Sequence, residues 1–420
     1  MATSLAVSEL PRLVYVGEVP VECSLHSSGL LFRLLQDYPA GKLLIFEAWP
    51  AISHPARRLP GVAYRQFALW PKHGRSRLRR PAATWLALSA PANADRLRRC
   101  LSGFDPEAVL TVAQGYLWLA AAQFSEDAEL PLHLIVHDHW LSLLQVYPGI
   151  KPWLDLQFGR LYRQAASRLC VSPFMEEEYR HNYGVGGEVL YPSRPKDCPS
   201  FDGVPQSHSK NAGPLVGAYA GRILIAGYAR LVADLAKCLE ERGGSLLLYG
   251  PHSPDDLRRW GLDRQNVFPQ GLAGPAELIS RLRKEADFVF VPMAFEADGM
   301  DYNMRVSFPS KLVDYTATGL PLLVWGPEDC SAVRWARLYG PVAEVVTSKE
   351  VGEIDAALER LEQPGHRERL GGASLKLGDR LFAYSGCVHT LFRALMSGPA
   401  APRKNATPIS LGSSPLKPNP

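Results

Sequence analysis

Polar and charged side chains adjoin apolar runs at four places in this 420-residue chain. "LHLIV" leads into His137, Asp138 and His139, "GAYA" into Gly221 and Arg222, and "SLLL" into Tyr249 and Gly250. The fourth place is "SFPSKLVDYTATGLPLLVWGP" (307–327), where Lys311 and Asp314 precede another apolar run. If the apolar runs are buried strands, these polar groups stand where a sheet meets a cleft, since burying them would require partners.

Lys311 is the odd residue of the set. Ser307 suits an N-cap, Pro309 a first turn, and Gly319 with Pro321 the end of a helix. The free N–H groups of such a start carry about half a positive charge, so acidic residues are usual there. Lys311, Asp314 and Thr318 fall at i, i+3 and i+7 on one face, with Leu312, Tyr315 and Gly319 on a packing face. Two readings stay open. Lys311 and Asp314 form a surface pair worth about 0.2–0.5 kcal/mol. Alternatively, Lys311 and the backbone around Ser307 and Ser310 hold a phosphate, and Asp314 accepts from a ribose diol. Each such charge-assisted bond is worth about 1.5–3 kcal/mol.

The second reading describes a nucleotide. Arg222 is then a further phosphate ligand, and backbone groups at Tyr249–Gly250 and Phe268–Gly271 suit the edge of a base. His137, with Asp138 beside it, would face whatever the phosphates carry.

The elements around these residues alternate. Strands are expected at 12–19, 42–49, 108–114, 132–138, 168–172 and "GEVLYP", with helices between them. The alternation stops at the Pro/Ser/Gly-rich stretch 192–214 and restarts at "LVGAYAGRI", running through "SLLLYGP", "NVFPQG", "DFVFVP" and "PLLVWGP". Strands apolar throughout and separated by helices predict parallel sheets covered on both faces. The expected fold class is α/β, with two Rossmann-like doubly wound domains facing a cleft. Residues 1–195 form the first domain, 196–213 a linker and 214–380 the second domain. A terminal helix at 381–396 crosses back to the first domain, and 397–420 is a disordered tail.

The net charge of +4 is too small to argue for a nucleic-acid partner. The run Arg57–Arg80 is basic without one acidic residue. It reads either as a solvated loop and helix face or as a patch for peripheral contact with anionic lipid. Seven scattered cysteines without a CxxC pair fit reduced thiols and give no zinc site. There is no basic n-region followed by an apolar core, and no run approaches 18 apolar residues. The expectation is a cytoplasmic protein, peripheral at most to the inner face of a membrane. GxSxG, GxxxxGK[ST] and Asp-x-Asp are all missing, and "GVGGEV" (184–189) precedes a strand instead of opening a helix.

With these residues in place, "LHLIVHDHW", "RLCVSPFMEEEYRHNYG", "YAGRI" and above all "FPSKLVDYTATGLPLLVWGP" resemble the GT-B glycosyltransferases of retaining family 4 and its relatives, over most of 12–395. The last stretch is similar to that group's P-x-K-x-x-E-y-x-a-x-G-x-P signature. The resemblance implies a nucleotide diphosphate-sugar donor on the second domain and a sugar or lipid-linked acceptor on the first. It implies transfer with retention, without a metal or other cofactor, in polysaccharide or glycolipid assembly. It places Asp314 where a Glu holds the ribose, Arg222 on a diphosphate ligand and His137 on the donor-sugar contact.

The sequence departs from the pattern at three points. Gly227 stands where the group often has a lysine, which makes Lys311 the substitute cation. Val306 stands where the first Glu of an E-x7-E pair belongs, with Glu296 on a longer loop as its alternative. Asp314 is one methylene shorter than Glu. A GT-B nucleotide-sugar epimerase and a degenerate, non-catalytic GT-B partner subunit are the rival readings.

Overall fold

The computed structural model describes residues 9–23, 29–49, 52–68, 79–205, 213–223, 225–296 and 301–398. The tail beyond 398 and residues 206–212 of the linker lie outside them, as do residues 69–78 of the basic run.

In the first domain, strands β1 (Leu13–Gly17), β2 (Leu43–Trp49), β3 (Ala63–Ala68), β4 (Ala108–Val112), β5 (Leu132–Val136), β6 (Ser167–Cys170) and β7 (Glu188–Val189) form one parallel sheet in the order 3-2-1-4-5-6-7. The second domain repeats the plan with β8 (Val216–Ala220), β9 (Ser245–Tyr249), β10 (Val267–Gly271), β11 (Phe288–Pro292), β12 (Leu322–Trp325) and β13 (Ala343–Val346), ordered 10-9-8-11-12-13. β1, β4, β5 and β11 are buried at every position, as strands covered by helices on both faces must be. In each sheet the order reverses beside the first strand, at β1/β4 and β8/β11, which opens a crevice at the strand ends.

Two elements correct the sequence reading. β3 falls inside the basic run that was read as loop or helix face. It is an edge strand, and the Arg65 guanidinium donates to the carbonyl of Cys100 at the end of the helix Ala90–Cys100. Arg58 likewise donates to Ser53 Oγ at 2.9 Å and lies over Tyr64. Part of this basic charge therefore braces the fold. The second correction is the helix Asp301–Val306, within a stretch read as loop.

The two domains are fastened by aromatic side chains. Tyr191, Phe308, Trp335 and Phe382 meet with ring centroids 5.1–6.2 Å apart. The helix ending at Phe382 is interrupted at Ala383, and the helix Tyr384–Leu395 leaves the second domain. Its Leu391 and Phe392 enter the first-domain core with Leu31, Leu34 and Leu35, and Phe392 packs edge-on against Tyr38 at 5.4 Å.

Candidate active site at the cleft

The first-domain half of the site stands at the tips of β4 and β5. His137 is partly buried, and its Nε2 lies 3.1 Å from Gln114 Oε1 while Nδ1 is buried without a partner. Burial holds the imidazole below its usual pKa, against the opposing charge of Asp138, so the ring is neutral at pH 7. Asp138 Oδ1 accepts from Asn303 Nδ2 at 3.4 Å, with Ser307 Oγ 3.5 Å away. Asn303 Oδ1 in turn accepts from the His139 amide at 2.7 Å and from Ser307 Oγ at 2.6 Å. The helix Asp301–Val306 of the second domain is thus clasped to the end of β5, and Ser172 Oγ adds a bond to the Val306 carbonyl at 2.5 Å.

Asn303→Ala would leave the buried His139 amide unpaired. It should lower unfolding stability by about 1–3 kcal/mol. Urea unfolding measures this, and an unchanged midpoint would remove the clasp.

This arrangement corrects the helix start expected at Ser307. The Ser307 amide bonds back to the Asn303 carbonyl, so Ser307 closes the preceding helix instead of capping the next. The signature helix is only Lys311–Tyr315, and Ser310 at its N-cap makes no side-chain capping bond. The Leu312 and Val313 amides already bond to the carbonyls of Pro309 and Ser310, so this helix end offers fewer donors than expected. Thr318 is buried, with Oγ1 donating to the Tyr315 carbonyl at 2.6 Å, and does not share the face of Lys311.

Lys311 points inward. Its Nζ lies over the Tyr219 ring at 5.2 Å, and its stem crosses Gly221 so closely that a Cβ there would be 2.6 Å from Cε. Gly221 also has φ +139°, so glycine is required twice over. Among the described residues no carboxylate pairs with this ammonium. Burial lowers its pKa to about 8. Gly227, where the family pattern often has lysine, would bring a Cβ within 2.6 Å of Ala294 Cβ and the Glu296 carbonyl, so no side chain fits there.

Asp314, partly buried and one turn on, is held above its usual pKa by burial, with the charges of Arg33 and Arg194 opposing. Its Oδ1 has no hydrogen-bond partner and lies 4.0 Å from Nη1 of Arg33, on the first-domain helix Gly29–Leu35. Lys311 and Asp314 are therefore not a surface pair. Lys311 faces Tyr219 and Gly221 of its own domain, and Asp314 faces Arg33 across the cleft.

Arg222 follows Gly221 and is exposed. Tyr249 and Gly250 do less than expected. The Tyr249 carbonyl takes the Gly221 amide at 2.9 Å, its hydroxyl donates to Glu285 at 2.7 Å, and the Gly250 amide donates to the Gly271 carbonyl. These groups brace the strand ends. Glu296 is exposed and paired with Arg230 at 3.6 Å and Lys349 at 3.3 Å.

The sequence reading missed His252, two residues beyond Gly250, with both ring nitrogens buried and its pKa lowered by burial against the backbone of Gly221 and Tyr249. The rule that singled out His137, a polar side chain just past a buried strand, would have found it. It also missed Gln114, Asn303 and Arg33. Beside Gln114 lies a cavity of about 250 Å³ lined by Ala113, Tyr116, Trp140, Leu143, Leu144 and Gln145. The Gln145 Oε1 is buried there without a partner.

No curated protein sequence matches the chain significantly. Residues 52–192, a third of it, match the model of Glycosyltransferase Family 4. Among solved structures, HepE of Anabaena in complex with UDP-glucose superposes with a TM-score of 0.60 at 14% identity, over 92% of this chain and 100% of HepE. Sucrose-phosphate synthase from Thermosynechococcus elongatus gives 0.62 at 14% identity, over 91% and 97%. An α,α-trehalose 6-phosphate synthase from Burkholderia multivorans gives 0.59 at 14%, over 92% and 97%. The chain has the GT-B fold, and the likeness to family 4 glycosyltransferases drawn from its motifs extends to the family model over the first domain.

Proposed function

We propose that this protein is a glycosyltransferase that binds a nucleotide diphosphate-sugar on its second domain and transfers the sugar to an acceptor held by the first. The observation that carries this reading is Lys311, an inward-facing ammonium without a carboxylate partner at the tip of β8, with Gly221 beneath it. A buried cation without a counter-charge is costly unless an anion arrives. The UDP-glucose complex of HepE, on the same fold, supports a nucleotide diphosphate as that anion.

In this reading Lys311 and Arg222 meet the diphosphate, Asp314 accepts from the ribose diol, and neutral His137 contacts the sugar. The anomeric carbon–oxygen bond breaks and the diphosphate leaves with the electron pair. The acceptor oxygen bonds to the same face of the sugar, and its proton passes to a diphosphate oxygen. The protein's task is to stabilise the growing charge on the leaving group with fixed cations. Transfer with retention, without a metal or other cofactor, belongs to the proposal, as does a place in polysaccharide or glycolipid assembly. All seven cysteines are free, which supports a reducing, cytoplasmic setting. No helix among the described residues is long and apolar enough to cross a membrane.

The degenerate-partner reading draws on Arg33, whose charge stands beside Asp314 from the opposite domain. Calorimetric titration with UDP, GDP and their sugars separates the two. Micromolar binding of one nucleotide, with release of its diphosphate form once an acceptor is added, supports transfer. A chain that binds none of them is the degenerate partner.

A further inference from the structure

Among the described residues, every exposed large apolar side chain of the first domain lies in two neighbouring segments. Trp85 (62% exposed) and Leu88 sit at i and i+3 on the helix Arg79–Leu88. Trp153 and Leu156 (63%) sit at i and i+3 on the helix Lys151–Gln164, and Tyr147 lies just before it. The Tyr147 amide donates to Thr84 Oγ1 at 3.2 Å, which ties the second segment to the first.

The core does not account for these side chains. The inner faces of the two helices are already buried through Ala83, Ala87, Leu154 and Phe158. One exposed leucine is ordinary, but five large apolar groups on two tied segments are not.

The charge around them is basic. Arg80 stands in the first turn of the first helix and Lys151 opens the second. The nearby acids are engaged: Asp95 and Asp127 with Arg98, Glu126 with Arg160, and Asp155 with the Tyr183 hydroxyl. Tryptophan, tyrosine and leucine with arginine and lysine suit the headgroup region of an anionic bilayer. A second copy of this chain fits less well, because a two-fold contact would set these cations against their own duplicates.

We propose that this ridge seats the first domain on an anionic lipid surface. The segment that lines the cavity beside Gln114 runs straight on into Tyr147. On the transfer reading above, the acceptor is therefore a molecule with an apolar tail that reaches the cavity from the membrane. This moves the contact to the end of the run 57–80, where Arg80 joins the ridge, while Arg58 and Arg65 of the same run brace the fold.

Co-sedimentation of the full chain with phosphatidylcholine vesicles, with and without phosphatidylglycerol, tests the seat without donor or acceptor. Its result is therefore independent of whether sugar transfer occurs. The wild type is expected to bind anionic vesicles at least about tenfold better than neutral ones, and to lose much of this at high salt. Trp85→Glu with Trp153→Glu should reduce binding about tenfold or more, with the thermal midpoint unchanged. A wild type that ignores anionic vesicles, or a double variant that binds like the wild type, overturns the proposal. So does a dimer in light scattering that the double variant dissociates, since the ridge would then be an interface between copies.

Discussion

Lys311→Ala is expected to weaken binding of the nucleoside diphosphate by about 1.5–3 kcal/mol, roughly 10- to 150-fold, while the domain stays folded. The loss should be similar for the diphosphate and its sugar, because the ammonium would touch what they share. Calorimetry on both ligands reads this, and equal affinities for variant and wild type would take Lys311 out of the site.

The same residue predicts a pH dependence of definite sign. Its pKa of about 8 in the free protein means the charge disappears as pH rises through that value, and anion affinity should fall with it. A bound diphosphate favours the ammonium and raises its pKa, so binding a little above pH 8 should take up a proton and binding at pH 6.5 should not. Calorimetry in buffers of different ionisation enthalpy counts that proton, and the alanine variant should show none. The linkage to folding runs the other way. Burial lowers the folded pKa from 10.5 to about 8, so between those values the unfolded chain holds the extra proton. Stability of the unliganded protein should therefore rise with pH across that window.

His137→Ala is the second large effect, and it should fall on turnover. Neutral at pH 7 and fixed by Gln114, the imidazole can present one nitrogen to the sugar as charge develops. Loss of a fixed group of this kind costs about 10²–10³ in rate. Nucleotide affinity should change little, because the proposed diphosphate contacts, Lys311 and Arg222, lie on the other domain. Steady-state kinetics with the nucleotide Kd measured separately decides it. Unchanged turnover, or an affinity loss as large as the rate loss, would end this role.

The sheets were legible because their strands are apolar on both faces, and runs such as "LVYVG" and "FVFVP" admit few other readings. β3 escaped because it is an edge strand carrying Arg65 and Gln66, so burial leaves almost no pattern. The helix Asp301–Val306 escaped for a different reason. Six residues are too few to be helical on propensity alone, and this helix is held by Asn303 on His139 and by Ser172 on Val306. Lys311 could be singled out because a lysine at that point is locally unusual. Arg33 beside Asp314 could not, because the two positions are far apart in the chain and neither is odd by itself. The lack of room at Gly227 is likewise a tertiary fact, set by Ala294 and the Glu296 carbonyl packed against it.

The helix Tyr384–Leu395 fills the groove beside Leu31, Leu34 and Leu35, although nearly 200 residues of linker and second domain come between. During synthesis the first sheet emerges from the ribosome long before that helix does. Its nascent form must wait with a greasy furrow uncovered until the second domain has been translated. Maturation of the amino-terminal lobe is thus gated by completion of the carboxy-terminal one, and a chaperone's natural foothold is that furrow.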